Sequence, residues 1–114
     1  MLVETIPLKK ADTWWQRFKG LMLQKEVREA LWIVPCNSIH MFFMCTSIDV
    51  LFLDEEDQII HFRENLKPWR LVFPVKKAKS VVELPPGFVQ RNALEEGQII
   101  RQDQGYLHVD RTGA

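Results

Sequence analysis

The sequence predicts one mainly β domain over residues 1–114, a small antiparallel β-sandwich or barrel with one or two short helices. The length of 114 residues suits a single domain, because domains commonly contain about 50 to 250 residues. Hydrophobic residues make up 46% of the chain, which is enough for a core. About seven short apolar runs, separated by turn residues, follow one another, a pattern typical of sandwiches and barrels.

The first part of the chain predicts one strand and one helix. Residues 1–6 suit a short first strand because their side chains alternate in type. A helix is predicted to begin after Asp12 or Thr13, since both residue types favour the N-cap position. Gly20 is predicted to be the residue just past its end, since glycine is common at that position.

The remainder predicts strands and a second, shorter helix. The polar stretch 54–57 lies between two apolar runs and predicts an antiparallel hairpin, and Asp103-Gln104-Gly105 predicts another. The second helix follows Pro85-Pro86-Gly87 and is predicted over residues 88–94. The predicted strands are residues 31–34, 39–44, 48–53, 58–62, 79–84, 98–102 and 106–110.

The charges of the chain indicate no general affinity for polyanions. Fifteen Lys and Arg residues balance fifteen Asp and Glu residues, so the protein has no long-range field to attract nucleic acid or an anionic membrane. We therefore expect no nucleic acid and no membrane as partners. An unknown small ligand or protein is expected instead, and the protein is expected to be a monomer or a weak homo-oligomer.

Residues 30–48 contain no charged side chain. Their number approaches the ~20 apolar residues of a membrane-spanning helix, so a membrane span has to be considered. Pro35, Asn37 and His40 would lie in the hydrocarbon. The stretch is therefore interpreted as two buried strands around a turn. The N-terminus shows no secretion signal, and two cysteines are too few for a disulfide framework. These features predict a cytoplasmic location.

A metal site is one possible function of a C-x3-H-x4-C spacing, which is formed by Cys36, His40 and Cys45. Structural zinc sites use four protein ligands, commonly paired two or three residues apart, and this spacing provides neither feature. On a strand, Cys36 and His40 would lie ~13 Å apart, too far for a thiol and its base. We expect no metal and no cofactor.

Five segments in order resemble the domain of unknown function 192 family of bacteria and archaea, also called uncharacterised protein family 0127. The resemblance spans about residues 17–97 and implies a jelly-roll-like β-sandwich. It implies no established activity, cofactor or catalytic residue. Many relatives carry a secretion signal or lipoprotein anchor, and we expect neither here. The segments are Arg-Phe-Lys-Gly-Leu-Met at 17–22, the run at 36–44, the run at 48–54, Pro-Trp-Arg at 68–70 and Val-Glu-Leu-Pro-Pro-Gly at 82–87.

Asp49 and Glu83 each interrupt an apolar run. An unpaired buried charge costs several kcal/mol or forces protonation, so each carboxylate needs a partner, and Arg17 and Arg70 are available. Two interpretations stay open. The carboxylates form structural ion pairs, or they act together as a catalytic acid/base pair.

The sequence favours a non-catalytic ligand- or partner-binding module. The alternative is a small hydrolase that uses Asp49 or Glu83 as general acid or base. Residues 67–79 hold five cations and no acid, interleaved with Trp69 and Phe73. Such a mixture is typical of single-strand nucleic-acid binding, but the prolines in this segment indicate a solvated loop. The candidate binding residues are Arg17, His40, Asp49, Trp69, Arg70 and Glu83.

Overall fold

The computed structural model describes residues 3–13, 21–22 and 24–110. In these ranges the chain is mainly β, which confirms the predicted fold class, and its main sheet stays open rather than closing into a barrel. The elements are β1 (Leu8–Ala11), β2 (Ala30–Ile33), β3 (Ile39–His40), β4 (Ile48–Leu53), β5 (Ile59–Leu66), β6 (Leu71–Val72), β7 (Ser80–Leu84), α1 (Phe88–Arg91), β8 (Ile99–Asp103) and β9 (Tyr106–Asp110).

The main sheet has five strands in the order β1-β2-β7-β4-β5. β1 and β2 are parallel, and the other neighbours are antiparallel. Every residue of β4 and β7 is buried, because both faces of the sheet are covered. Strands of this kind have continuous apolar sequences rather than alternating ones. The predicted strand at residues 48–53 is therefore confirmed at both ends.

Each face of the sheet has its own core. The helix face carries Leu51 and Leu84 and packs against Phe88 of α1. The ladder face carries Val50 and Phe52 and packs against residues of β3 and β6. This division matters for function, because successive residues of a strand point to opposite faces.

Two small ladders flank the main sheet. β3 and β6 pair antiparallel, with Ile39 opposite Val72 and His40 opposite Leu71. β8 and β9 form the predicted second hairpin. Its two-residue loop, Gln104-Gly105, has positive φ at both positions, as the tight loops that match strand twist require.

Several boundaries differ from the predictions. Residues 3–6 form no strand, and the first strand begins at Leu8, where it pairs beside β2 as a sheet edge. Only two residues of the predicted strand 39–44 are extended, because the chain turns at Met41–Met44 with a hydrogen bond from Met44 N to Met41 O of 3.3 Å. β6 lies in a stretch predicted as a loop. Most of the predicted helix at residues 12–20 lies outside the described residues.

The charge-free stretch 30–48 contains β2 and β3, which agrees with its interpretation as strands. No helix within the described ranges has both the length and the apolar character needed to cross a membrane.

Candidate functional site

The six predicted binding residues fall in different places. His40, Trp69 and Arg70 lie together at the β3–β6 ladder, where the Met41 amide donates to the Arg70 carbonyl at 2.8 Å. Asp49 and Glu83 are buried in the main sheet. Arg17 lies outside the described residues.

The Asp49 carboxylate is bound by backbone N–H groups. Its side chain is completely buried, and its Oδ1 accepts a hydrogen bond from Asn65 N at 2.8 Å. Its Oδ2 accepts one from Val89 N, in the first turn of α1, at 2.9 Å. Within the described ranges no ion pair includes Asp49, so Asp49 is not paired with Arg70, and Arg17, the other expected partner, lies outside the described residues. The two backbone amides stabilise the charge of the Asp49 carboxylate.

The Glu83 carboxyl is buried with fewer hydrogen bonds than that of Asp49. Its Oε1 receives no hydrogen bond from any described residue. Burial raises the pKa of the Glu83 carboxyl from its ordinary value of 4.5 to about 7, and a hydrogen bond from the Leu21 backbone offsets part of that rise. A carboxyl in an apolar site is expected to behave in this way, because low polarity disfavours its charged form.

The two carboxylates do not form an acid/base pair. Asp49 stands opposite Leu84, whereas Glu83 stands opposite Val50. Paired residues share a face, and neighbours along a strand alternate between faces. Asp49 therefore points to the helix face and Glu83 to the ladder face, on opposite sides of the sheet.

Four rings in contact at the surface, together with Leu71, the cross-strand partner of His40, form what we call the aromatic patch. The four rings are those of His40, Phe42, Phe43 and Trp69. The Phe43 and Trp69 ring centroids lie 5.1 Å apart, and those of Phe42 and Trp69 lie 5.9 Å apart. Phe43 is 57% exposed and Trp69 is 60% exposed. Contiguous exposed apolar groups of this kind mark interaction sites more often than chance exposure does.

The backbone holds two of these rings outward under strain. Phe43 has φ 61° and Trp69 has φ 67°, values that bulky residues rarely adopt. Surrounding hydrogen bonds stabilise the conformation, including one from Trp69 N to Met41 O of 2.7 Å. Strain of this kind persists where the structure enforces it, and it is common at binding sites.

A cleft of about 320 Å³ adjoins the patch. Three of its lining residues are cations, and no ion pair among the described residues includes any of them. Leu71 lines the cleft and also belongs to the aromatic patch, so the two features are continuous. The cleft is lined by Arg63, Glu64, Asn65, Leu66, Lys67, Arg70 and Leu71.

The cysteine and histidine spacing produces no metal-ligand group within the described ranges. Cys36 and Cys45 are both thiols, half-buried and exposed respectively. The Cys36 Sγ donates to the Ser38 carbonyl at 3.0 Å, and His40 contacts the Phe42 ring at a centroid distance of 5.3 Å.

The sequence predicted Trp69, Arg70 and His40 as candidate binding residues, but it did not predict that Phe42, Phe43 and the cleft lie beside them. The two phenylalanines lie in an apolar run that predicted a buried strand, and their exposure follows from the turn at Met41–Met44. Their adjacency alone gives no signal of exposure, since consecutive apolar residues are all buried in β4, where the sheet has a core on each face.

Comparison with known proteins identifies relatives that match most of the chain. The model of the DUF192 family, described as "Uncharacterized ACR, COG1430", matches residues 2–102. A UPF0127 protein of Thermococcus kodakarensis is 42% identical over 99 residues, covering 82% of this chain and 62% of that protein. A UPF0127 protein of Pyrococcus furiosus is 34% identical over 97 residues, covering 81% of this chain and 83% of that protein.

A solved structure agrees with the fold. A protein of unknown function from Novosphingobium aromaticivorans matches with a TM-score of 0.70 at 19% identity, over 78% of this chain and 69% of that one. This likeness concerns the fold alone. The chain spans less than two-thirds of the Thermococcus protein, 62% of its length. The match across residues 2–102, together with these identities, shows that the chain belongs to the DUF192 (UPF0127) family.

Proposed function

We propose that the domain is a non-catalytic binding module that holds a ring-bearing apolar group against the aromatic patch. The observation that carries the proposal is the pair Phe43 and Trp69, two large side chains in ring contact, both exposed and both at positive φ. A sequence free of functional constraint would lower its free energy by placing glycine or asparagine at such positions.

The buried carboxylates support binding over catalysis. Asp49 is completely buried, and each of its oxygens accepts a hydrogen bond from a backbone amide, so a substrate at the surface does not reach it. Glu83 is 4% exposed and does not line the cleft beside the patch. A general acid or base must reach its substrate within hydrogen-bond distance, and neither carboxylate meets this requirement.

The expected affinity for a single ring follows from the area that it buries. Covering about 100 Å² of apolar surface contributes about 2.5 kcal/mol, which corresponds to a Kd on the order of 10 mM. A natural ligand gains further contacts, but a fragment of this affinity already suffices to locate the site by NMR.

The test is a titration of ¹⁵N-labelled protein with indole. We expect the largest shifts at the amides of Phe42 and Phe43 and at the Trp69 side-chain N–H. The variants Phe43→Gly and Trp69→Gly should weaken binding at least about fivefold. Neither should lower the unfolding midpoint, because glycine relieves the positive-φ strain.

Tyr106→Ala is the matched control, since Tyr106 is an exposed aromatic residue on β9, outside the patch. Its removal should leave indole binding unchanged. Indole shifts centred on Tyr106, or binding that survives both glycine variants, would overturn the proposed function.

The proposal places the module in the cytoplasm, with one small ligand or protein partner, and without nucleic acid or membrane as a partner. It is a monomer or a weak homo-oligomer in this setting. We expect both cysteines, Cys36 and Cys45, to be reduced at that location, because disulfides are rare in reducing compartments.

Protein purified without reductant and then denatured should titrate two thiols with a thiol-specific chromophoric reagent. In the native protein Cys45 should react before Cys36, because Cys45 is exposed and Cys36 is half-buried. A mass two hydrogens lower, with no thiol titrated, would contradict the proposed location.

A further inference from the structure

We infer that the ligand on the aromatic patch carries an anionic group, which the adjoining cleft binds through Arg63, Lys67 and Arg70. This inference rests on the proposed function, since it names the chemistry of the ligand for the same site.

The cleft carries more positive than negative charge. Three cationic residues and one carboxylate, Glu64, line it. All four are exposed, and none belongs to an ion pair among the described residues. The chain as a whole has no net charge. Positive charge that is concentrated here therefore reflects local placement rather than a basic composition.

The cleft and the aromatic patch form one continuous surface. Leu71 lines the cleft, and its cross-strand partner is His40, so both side chains lie on the same side of the β3–β6 ladder. The His40 ring contacts Phe42, and the Phe42 ring contacts Trp69. One small molecule can therefore place a ring on the patch and a charged group in the cleft.

The backbone that lines the cleft is held in place before any ligand binds. Asn65 has φ 51° and lies within β5, where the register against β4 shifts between Ile48 and Val50. The buried Asp49 carboxylate fixes this irregularity by accepting the Asn65 N–H at 2.8 Å. Leu66 anchors the same segment in the ladder-face core. A cleft with a fixed backbone loses less conformational entropy when it binds.

The chemistry of the side chains selects an oxyanion. Guanidinium groups match carboxylate and phosphate oxygens with paired hydrogen bonds, and such charge-assisted bonds are stronger than neutral ones. Both kinds of oxyanion fit this description, and the test therefore includes one probe of each kind.

The test compares three probes that share a phenyl ring: phenol, phenyl phosphate and phenylacetate. We expect phenyl phosphate, phenylacetate or both to bind about tenfold more tightly than phenol at low ionic strength. Added salt should reduce this gain, because the cleft is solvent-exposed. The tighter of the two anions identifies the oxyanion. Shifts should appear at the amides of Lys67, Arg70 and Leu71 in addition to the patch.

Two lysines provide a matched pair of variants. Lys67 lines the cleft, whereas Lys76 is an exposed lysine outside it. Lys67→Met and Arg70→Met should each remove most of the preference for the anion, while Lys76→Met should leave it unchanged. Lys76→Met should also bind phenol as the wild type does.

The outcomes separate the two proposals. Phenol binding at the patch with no gain for either anion overturns the anionic ligand and leaves the proposed function standing. A gain that Lys76→Met removes as strongly as Lys67→Met also overturns it, because the attraction is then general rather than local. Failure of all three probes to bind at the patch overturns both proposals.

Discussion

Asp49→Asn should lower the free energy of unfolding by about 3 kcal/mol, since hydrogen bonds to a charged group contribute about 1.5–3 kcal/mol each. The Asp49 carboxylate accepts from Asn65 N and Val89 N. Asparagine has a similar shape but only one acceptor oxygen, so its amide group faces one of the two backbone N–H groups. Chemical denaturation should show a lower midpoint with an unchanged slope.

Arg70→Met is the control for this prediction. Asp49 is bound by the backbone, and Arg70 is exposed at the cleft, so Arg70→Met should change stability by less than about 0.5 kcal/mol. The double variant should be additive with Asp49→Asn. A large loss in Arg70→Met together with strong non-additivity would restore the ion pair that the sequence suggested. An unaffected Asp49→Asn would exclude the two amides as the stabilising contacts.

Glu83→Gln should make the protein more stable than the wild type at pH 8, and the advantage should disappear near pH 4. The folded-state pKa of Glu83 is raised from 4.5 to about 7. Between these values the folded protein holds a proton that the unfolded chain has released, so stability falls as the pH rises through this window. The full effect is about 3 kcal/mol, since one pKa unit corresponds to about 1.4 kcal/mol. Glutamine cannot ionise and escapes this loss.

The measurement is the difference in unfolding free energy between Glu83→Gln and the wild type, taken from pH 4 to pH 8. Glu55→Gln is the control, because Glu55 is an exposed carboxylate in the β4–β5 turn. Its difference from the wild type should stay nearly constant over the same range. A constant difference for Glu83→Gln as well would mean that this carboxyl ionises normally in the folded protein.

The sequence predicts the central strands best, for a physical reason. A strand that is buried on both faces has an uninterrupted apolar sequence, and this pattern predicts β4. The polar turn that follows it predicts the β4–β5 hairpin. β1 was misplaced because its central lysines, Lys9 and Lys10, are exposed at the edge of the sheet. A strand with such a pattern gives no alternation to detect.

The candidate site was predicted only in part, because exposure is a tertiary property. The run at residues 39–44 has the composition of a core strand, yet Phe42 and Phe43 reach the surface. Asp49 was correctly singled out as a charge within an apolar strand. The partners of Asp49 were not predicted, because the amides that bind it lie 16 and 40 residues away along the chain. Almost every residue has a backbone N–H, so the residue types do not indicate which ones bind Asp49.

The position of β7 has a consequence for how the chain acquires its fold during synthesis. β7 lies between β2 and β4 in the sheet, although it follows both of them in the chain. When only the first 70 residues have left the ribosome, β4 and β5 can already form a local hairpin, but β2 and the inner edge of β4 still lack their shared neighbour. Sheets that depend on distant segments assemble slowly and leave unpaired edges in the meantime. The nascent chain is thus most prone to aggregation in the interval before Ser80–Leu84 leaves the exit tunnel.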